Sequence, residues 1–83
     1  PNPFNPATDI SFELEQPSDI RLMIVNPLGQ IVRTVANGDR PAGRHSVVWD
    51  GRDDQGREVA SGVYIVRLVA GPMAVNSRAV LLR

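Results

Sequence analysis

The chain of 83 residues contains no cysteine and no lysine, and aromatic residues make up only 5% of it. Without cysteine there are neither disulfides nor zinc–thiolate sites, so packing and backbone hydrogen bonds must stabilise the fold. The nine basic residues, all arginine, balance nine acidic ones, and this neutrality favours neither nucleic acid nor an anionic membrane as a partner. A domain this small has little core to spare for an enclosed active site.

Long hydrophobic runs are also missing. The longest, such as residues 22–25, fall far short of the roughly 18 residues that a transmembrane helix requires. The sequence begins at Pro1 without an initiator methionine or a signal segment, which predicts a piece of a longer polypeptide. We expect a single domain over residues 1–83. Its first seven residues should form an extended boundary segment, because the prolines of "PNPFNP" fix φ and remove backbone donors.

The patterns that are present are those of β-strands. "TDISFELE" alternates apolar and polar residues, whereas "IRLMIV" is apolar on both faces, as in a central strand. "QIVRTV", "RHSVVWD", "GVYIVRLVA" and "MAVNSRAVLLR" supply further strands, and the polar residues 36–43 predict a loop. About seven strands with Gly/Pro turns and no helical stripe predict an all-β protein, a small antiparallel immunoglobulin-like (Ig-like) or Greek-key β-sandwich.

The segment "WDGRDDQGREVASGVY", residues 49–64, is rich in aspartate and glycine. It fails the EF-hand pattern, because Arg52 and Gln55 occupy positions that require an acidic or amide residue and a glycine. Asp50, Asp53 and Asp54 remain candidates for a looser calcium site. The same residues also suit a tight turn with local side-chain bonds. Both interpretations stay open, and we expect no other cofactor.

Catalytic and sugar-binding roles find less support in the sequence. His45 is the only histidine and has no serine at an instructive spacing, so a nucleophilic triad is not indicated. Asp53 and Asp54 are neighbours and do not supply the cleft that paired glycosidase carboxylates need. Trp49 and Tyr64 could stack on a sugar, but each alternates with apolar residues and is expected in the core. We therefore expect no enzymatic activity.

Four motifs resemble a known family: "PNPFNP", "VNPLGQIVRTV", "AGRHSVVWDGRDDQGREVASGVYIVRL" and "SRAVLLR". In order and spacing they are similar to the C-terminal sorting domain of the type IX (Por) secretion system, over essentially the whole chain. The "WDG…G…SG.Y" portion also resembles the Ig-like domain of the flagellar hook-capping protein. The first resemblance implies a non-catalytic address at the end of a secreted protein. The cargo domain would be fused upstream.

That resemblance implies outer-membrane secretion machinery and a cell-surface peptidase as partners. The protein would pass through the periplasm to the cell surface or the medium. Scaffold positions would be Pro3, Phe4, Trp49, Asp50, Gly51, Gly56, Gly62 and Tyr64, with Gly62 allowing a close backbone approach. Partner recognition would fall on Pro27, Leu28, Gly29, Arg78, Val80, Leu82 and Arg83, around one turn and an exposed terminal strand. The alternative is a structural Ig-like spacer or assembly module akin to the hook-capping domain.

Overall fold

A computed structural model describes residues 7–83, and in this range the chain is entirely β-structure with turns. The strands are β1 (Thr8–Leu14), β2 (Ser18–Val25), β3 (Ile31–Arg40), β4 (Gly43–Trp49), β5 (Gly62–Ala70) and β6 (Met73–Leu81). Six strands are thus seen in this range, where about seven were expected for the whole chain. The boundary segment, with Pro3 and Phe4, lies outside the described residues except for Ala7. Among residues 7–83 no helix has the length and apolar character needed to cross a membrane.

The strands form two antiparallel sheets. β1 pairs with β4 in a small sheet, and the larger sheet has the order β3-β2-β5-β6. The strand that is apolar on both faces, β2, lies inside the larger sheet, as its pattern predicts. β6 follows β5 through a two-residue turn at Gly71, whose φ of 58° suits the first central position of a hairpin turn. The prediction of an all-β antiparallel sandwich is confirmed.

The predicted loop at residues 36–43 is wrong over most of its length, because β3 continues to Arg40. Gly38 lies opposite Ile20 with a φ of 112°, a backbone conformation that glycine adopts without steric cost. β3 is an edge strand, so its polar residues can face solvent while its backbone pairs with β2. The polar composition of residues 36–40 indicated a loop, but their backbone pairs with β2 and they therefore form a strand.

The core lies between the two sheets around Trp49 and Tyr64. The Trp49 side chain is fully buried, and its ring meets that of Tyr64 edge to face, with centroids 5.1 Å apart. Trp49 Nε1 donates to the Arg52 carbonyl at 2.9 Å, and the Tyr64 hydroxyl donates to the Ala60 carbonyl at 2.6 Å. Both polar groups are therefore satisfied inside the protein. Neither ring forms an open platform for a sugar.

Candidate protein-interaction surface

The β4–β5 loop, residues 50–61, is organised by its own carboxylates. Asp53 accepts hydrogen bonds from the backbone N–H groups of Arg57 and Gln55, both at 2.9 Å. Its second carboxylate oxygen accepts from Arg57 Nε at 3.0 Å. The Arg57 backbone N–H, with smaller contributions from Gln55 and the guanidinium of Arg57, holds the pKa of Asp53 below its ordinary value. This carboxylate closes a local turn.

The other two aspartates of the loop bind β3 and the start of the loop. Asp50 Oδ1 accepts from Arg33 Nη1 at 3.0 Å and from the Arg52 N–H at 3.1 Å. Asp54 Oδ1 accepts from the Thr34 N–H at 3.1 Å. Each of the three carboxylates thus has a different set of donors. Within residues 7–83 no cluster of three or more His, Asp or Glu side chains is placed to hold a metal ion. Calcium binding at Asp50, Asp53 and Asp54 stays a prediction.

Arg83 joins the end of the chain to the same loop. Its guanidinium donates to the carbonyl oxygens of Val59 and Gly51, both at 2.6 Å, and to the Glu58 carboxylate at 3.0 Å. The Arg83 backbone N–H donates to Ser61 Oγ at 2.9 Å. The side chain is only 23% exposed. Sequence reasoning placed Arg83 on a recognition surface, and the structure places its guanidinium inside a network of hydrogen bonds.

The predicted scaffold glycines differ in what surrounds them. A Cβ atom at Gly51 would lie 3.2 Å from Leu81 Cδ1, and Gly51 has a φ of 75°. Gly62 has no atom within 4 Å of such a Cβ, so the close approach expected there occurs at Gly51 instead. Gly56 has a φ of 81° and open space around it. Gly56 therefore serves the turn through its backbone conformation alone.

The His45 ring takes part in packing and in a hydrogen bond to the backbone. Its Nε2 lies 2.8 Å from the Pro41 carbonyl oxygen, and its ring stacks on Phe12 with centroids 5.2 Å apart. Within residues 7–83 the ring's hydrogen-bond partner is this carbonyl and not a serine hydroxyl. The stacking packs β4 against β1, and the Pro41 contact joins β4 to the preceding turn.

The outer face of the larger sheet brings together most of the predicted recognition residues. One row across the sheet runs from Ile31 through Val25 and Ile65 to Arg78. Beside this row Val63 lies opposite Val80, and Leu82 follows on the same face by strand alternation. We call Val25, Ile31, Val63, Ile65, Val80 and Leu82 the apolar band. Arg78 borders it and is itself exposed.

The β2–β3 turn lies at the edge of the apolar band. Asn26 Oδ1 accepts from the N–H groups of Leu28 and Gln30 at 3.0 and 2.9 Å, and this holds the turn in place. The Leu28 side chain is 84% exposed. The cleft beside the band is lined by Pro27 and Gly29 together with Val25 and Ile65. The turn and the terminal strand, far apart in sequence, therefore contribute to one surface.

Four residues of the apolar band were not predicted as surface residues from the sequence: Val25, Ile31, Val63 and Ile65. A signal was present, because "GVYIVRLVA" is apolar at successive positions and strand alternation sends those residues to both faces. Tyr64 and Val66 are buried in the core, whereas Val63 and Ile65 lie on the outer face. A strand apolar on both sides indicates a second contact surface when its sheet has only one covered face.

These sheets, the buried tryptophan and the turn geometry define an Ig-like β-sandwich module. The chain belongs to the FlgD Ig-like domain family, whose model matches residues 2–72. It is 36% identical over 65 residues to the basal-body rod modification protein FlgD of Salmonella typhimurium. The FlgD of Escherichia coli shows the same identity over the same length. Each match covers 77% of this chain and 28% of the relative, so the chain spans less than a third of these proteins.

A solved structure agrees with the fold. The crystal structure of FlgD from P. aeruginosa superimposes with a TM-score of 0.72 and covers 90% of this chain and 60% of that one. At 22% sequence identity this similarity shows the fold alone. The Ig-like class expected from the sequence is therefore confirmed.

The expectation of a type IX sorting domain is wrong. The family match and the FlgD relatives support the second resemblance, to the Ig-like domain of the flagellar hook-capping protein. The expected partners, which were outer-membrane secretion machinery, a cell-surface peptidase and a fused cargo, are therefore also wrong. The expected transit through the periplasm to the cell surface or medium is wrong for the same reason. The motif misled because Trp49 and Tyr64 fill the core and Gly51 allows close packing, and these needs belong to the sandwich rather than to export.

Proposed function

We propose that this chain is a non-catalytic assembly module of a FlgD-type protein. It docks through the apolar band onto a structural protein of the growing flagellum. The observation that carries the proposal is the band itself, a continuous set of aliphatic side chains on the outer face of a sheet whose inner face already packs on the core. Contiguous exposed apolar patches with polar rims are typical of protein interaction sites.

The composition of the band suits a protein partner. Ile31 is 56% exposed and Val80 54%, so association would remove substantial aliphatic surface from water. Arg78 lies at the β6 end of the row that begins at Ile31. Arg67 lies in the adjacent row across the sheet, and its Nε donates to Asn76 Oδ1 at 3.1 Å. A partner with an apolar patch and carboxylates at its rim complements this surface.

The relatives support the flagellar setting. Those matched are named as basal-body rod modification proteins, and the matched family is that of their Ig-like domain. An Ig-like sandwich whose motif residues serve packing and turns supports an assembly role rather than catalysis. Leu28, Pro27 and Gly29 would then position the rim of the docking surface.

A domain exchange tests this proposal. The Ig-like segment of the Salmonella typhimurium FlgD is replaced by this chain, and motility and hook formation are scored by swarming and electron microscopy. We expect the chimera to restore assembly. Ile31→Glu should abolish this restoration, because a charge in the band would be desolvated in the complex.

The matched control is Val48→Lys, which also introduces a charge; Val48 lies opposite Asp9, so a cation is tolerated there. Val48 is 60% exposed and lies on the outer face of the smaller sheet, away from the band. Both variants should melt at the temperature of the parent. If Ile31→Glu assembles hooks as well as the parent chimera, the apolar band is not the docking surface. A chimera that is folded and expressed but never assembles contradicts the proposed function as a whole.

A further inference from the structure

The sandwich has two unpaired sheet edges on the same side. Within residues 7–83, β1 pairs only with β4 and β6 pairs only with β5. β1 and β6 approach each other across the sandwich, while β3 and β4 close the opposite side. Unpaired edges expose backbone N–H and C=O groups that another strand can bind. Among the described residues, one side of the sandwich therefore has an unpaired edge from each sheet.

β6 has little that would block a partner strand. It is nine residues long and keeps a regular register with β5, and Arg78 is its only charged residue. β3, at the other edge of the same sheet, is covered differently. The Thr34 N–H donates to Asp54 Oδ1, and the Val32 carbonyl accepts from the Asp54 N–H at 3.0 Å. The β4–β5 loop thus protects the β3 edge of the larger sheet, whereas the β6 edge has no backbone partner other than β5 within residues 7–83.

Apolar side chains are left uncovered along β6. Val75 lies opposite Leu68, which packs against the core, yet Val75 is 54% exposed and Met73 65%. Both line a groove with Leu14 between the ends of the two sheets. A further strand beside β1 would cover them.

The two free edges carry opposite charges. β1 presents Asp9 and Glu13 on its outer side, and β6 presents Arg78, with Arg67 on the neighbouring strand. Pairing β1 with β1 of another copy over its full length would place Asp9 opposite Glu13. Like charges directly opposite each other destabilise a sheet. Pairing β6 with β6 would gather arginines only. The complementary combination is β1 with β6.

We propose that two copies of this chain form a symmetric dimer in which β1 of each copy pairs with β6 of the other. β1 starts beside Trp49 and runs away from it, whereas β6 ends at Leu81, which packs close to Gly51. The two strands are thus antiparallel. A twofold axis parallel to the strands leaves strand directions unchanged, so each β1 lies antiparallel beside the β6 of the other copy. The two-stranded sheet of one copy then continues into the four-stranded sheet of the other, and the dimer contains two six-stranded sheets.

One register satisfies both charge and packing. Placing Asp9 of one copy opposite Arg78 of the other keeps all of β1 within the length of β6. The same register sets Phe12 opposite Val75 and Leu14 opposite Met73. The exposed apolar residues of the groove would then gain neighbours, and each Arg78 would gain a carboxylate. The apolar band of the proposed function stays outside most of this interface, so the two proposals can fail separately.

The test is the oligomeric state of the 83-residue chain in solution. Sedimentation equilibrium from about 1 µM to about 1 mM should show a monomer–dimer equilibrium that weakens with salt. Hydrogen exchange of β1 and β6 amides should slow as the concentration rises. Arg78→Asp and Asp9→Arg should each weaken the dimer by at least about tenfold, because every dimer exchanges two attractive pairs for two repulsive ones.

A mixture of the two variants gives the sharpest result. Equimolar Arg78→Asp and Asp9→Arg should form a heterodimer of near-parental affinity, since each contact between the copies again joins opposite charges. Arg21→Glu is the matched control, because Arg21 is exposed on the same sheet but on the central strand β2. A chain that stays monomeric throughout overturns the proposal. So does a dimer that both charge variants leave unchanged, which would place the contact elsewhere, such as the apolar band.

Discussion

The guanidinium of Arg83 donates to the carbonyl oxygen of Gly51 at 2.6 Å, across 32 positions of sequence. The same side chain bonds the Val59 carbonyl and the Glu58 carboxylate, so one arginine holds both ends of the β4–β5 loop against the last strand. Gly51 makes this possible because it has no Cβ where Arg83 and Leu81 approach. The loop that protects the edge of β3 is thus fixed by the final residue of the sequence.

Replacing Arg83 should therefore destabilise the domain. Arg83→Ala removes the donor of the part-buried Gly51 carbonyl and of the more exposed Val59 carbonyl, and we expect a loss of about 1 to 2 kcal/mol in the free energy of unfolding. Urea denaturation measures it. Arg57→Ala removes an ion pair whose arginine is 75% exposed and should cost less than about 1 kcal/mol. Equal effects of the two variants would contradict a special role for Arg83.

The two turn glycines provide a second comparison. Gly51→Ala and Gly56→Ala both place a side chain at a positive φ, but only Gly51 lies close to Leu81 and Arg83. We expect Gly56→Ala to cost about 1 kcal/mol for the backbone conformation and Gly51→Ala at least about 1 kcal/mol more. Melting temperatures of the two variants test the order. The reverse order would show that crowding at Gly51 relaxes freely.

Trp49 should be essential for folding. Trp49→Ala removes a fully buried ring and is expected to cost about 3 to 5 kcal/mol, a large part of the stability of so small a domain. Trp49→Phe keeps much of the volume and should remain folded, although it loses the hydrogen bond to the Arg52 carbonyl. Near-ultraviolet circular dichroism and two-dimensional NMR distinguish the two outcomes. A folded, stable Trp49→Ala variant would be inconsistent with this packing.

Asp53 should make the domain sensitive to acid. Its pKa is lower in the folded state than in the unfolded chain, chiefly through the Arg57 backbone N–H. The stability it contributes is therefore present above the unfolded pKa near 4 and is lost as the pH falls through the folded value. Asp53→Asn should flatten this part of the stability–pH curve. An identical acid dependence in parent and variant would assign it to other carboxylates.

Calcium should have little effect on stability. The carboxylates of Asp50, Asp53 and Asp54 already accept hydrogen bonds from the loop and from β3. We expect thermal melts in calcium and in chelator to agree within a few degrees. A shift above about 10 °C corresponds to more than roughly 1 to 2 kcal/mol of binding linkage and would establish a metal site at these residues.

Local pattern was sufficient to predict several strands. β5 was predicted at the bounds it has in the structure, because β-branched and aromatic residues fill it between glycine turns. β3 was cut short because its second half is polar, and only its pairing with Ile20 and neighbouring residues of β2 shows that the strand continues. Residues far apart in sequence supply such pairings, and no local window contains them.

The candidate surface shows the same division. Strand alternation in the sequence places Arg78, Val80 and Leu82 on one face and Ala79 and Leu81 on the other, and the structure shows that the second face is the buried one. Alternation did not show that Val25 and Ile65 continue the row to Arg78, because that depends on strand order within the sheet. The sequence motif suggested two families because its aromatic residues, Trp49 and Tyr64, serve the core of the sandwich and do not by themselves indicate a function.

The sequence by itself determined the all-β class, the antiparallel sandwich and the alternation of each strand, because side-chain period and turn chemistry act over a few residues. Only the tertiary structure decided which groups the Arg83 guanidinium contacts. A terminal cation expected at a recognition surface became the clamp of the β4–β5 loop, because folding brings the carbonyls of Gly51 and Val59 within its reach. It also decided which strand edges lack a partner within residues 7–83, because strand order depends on pairings between distant residues.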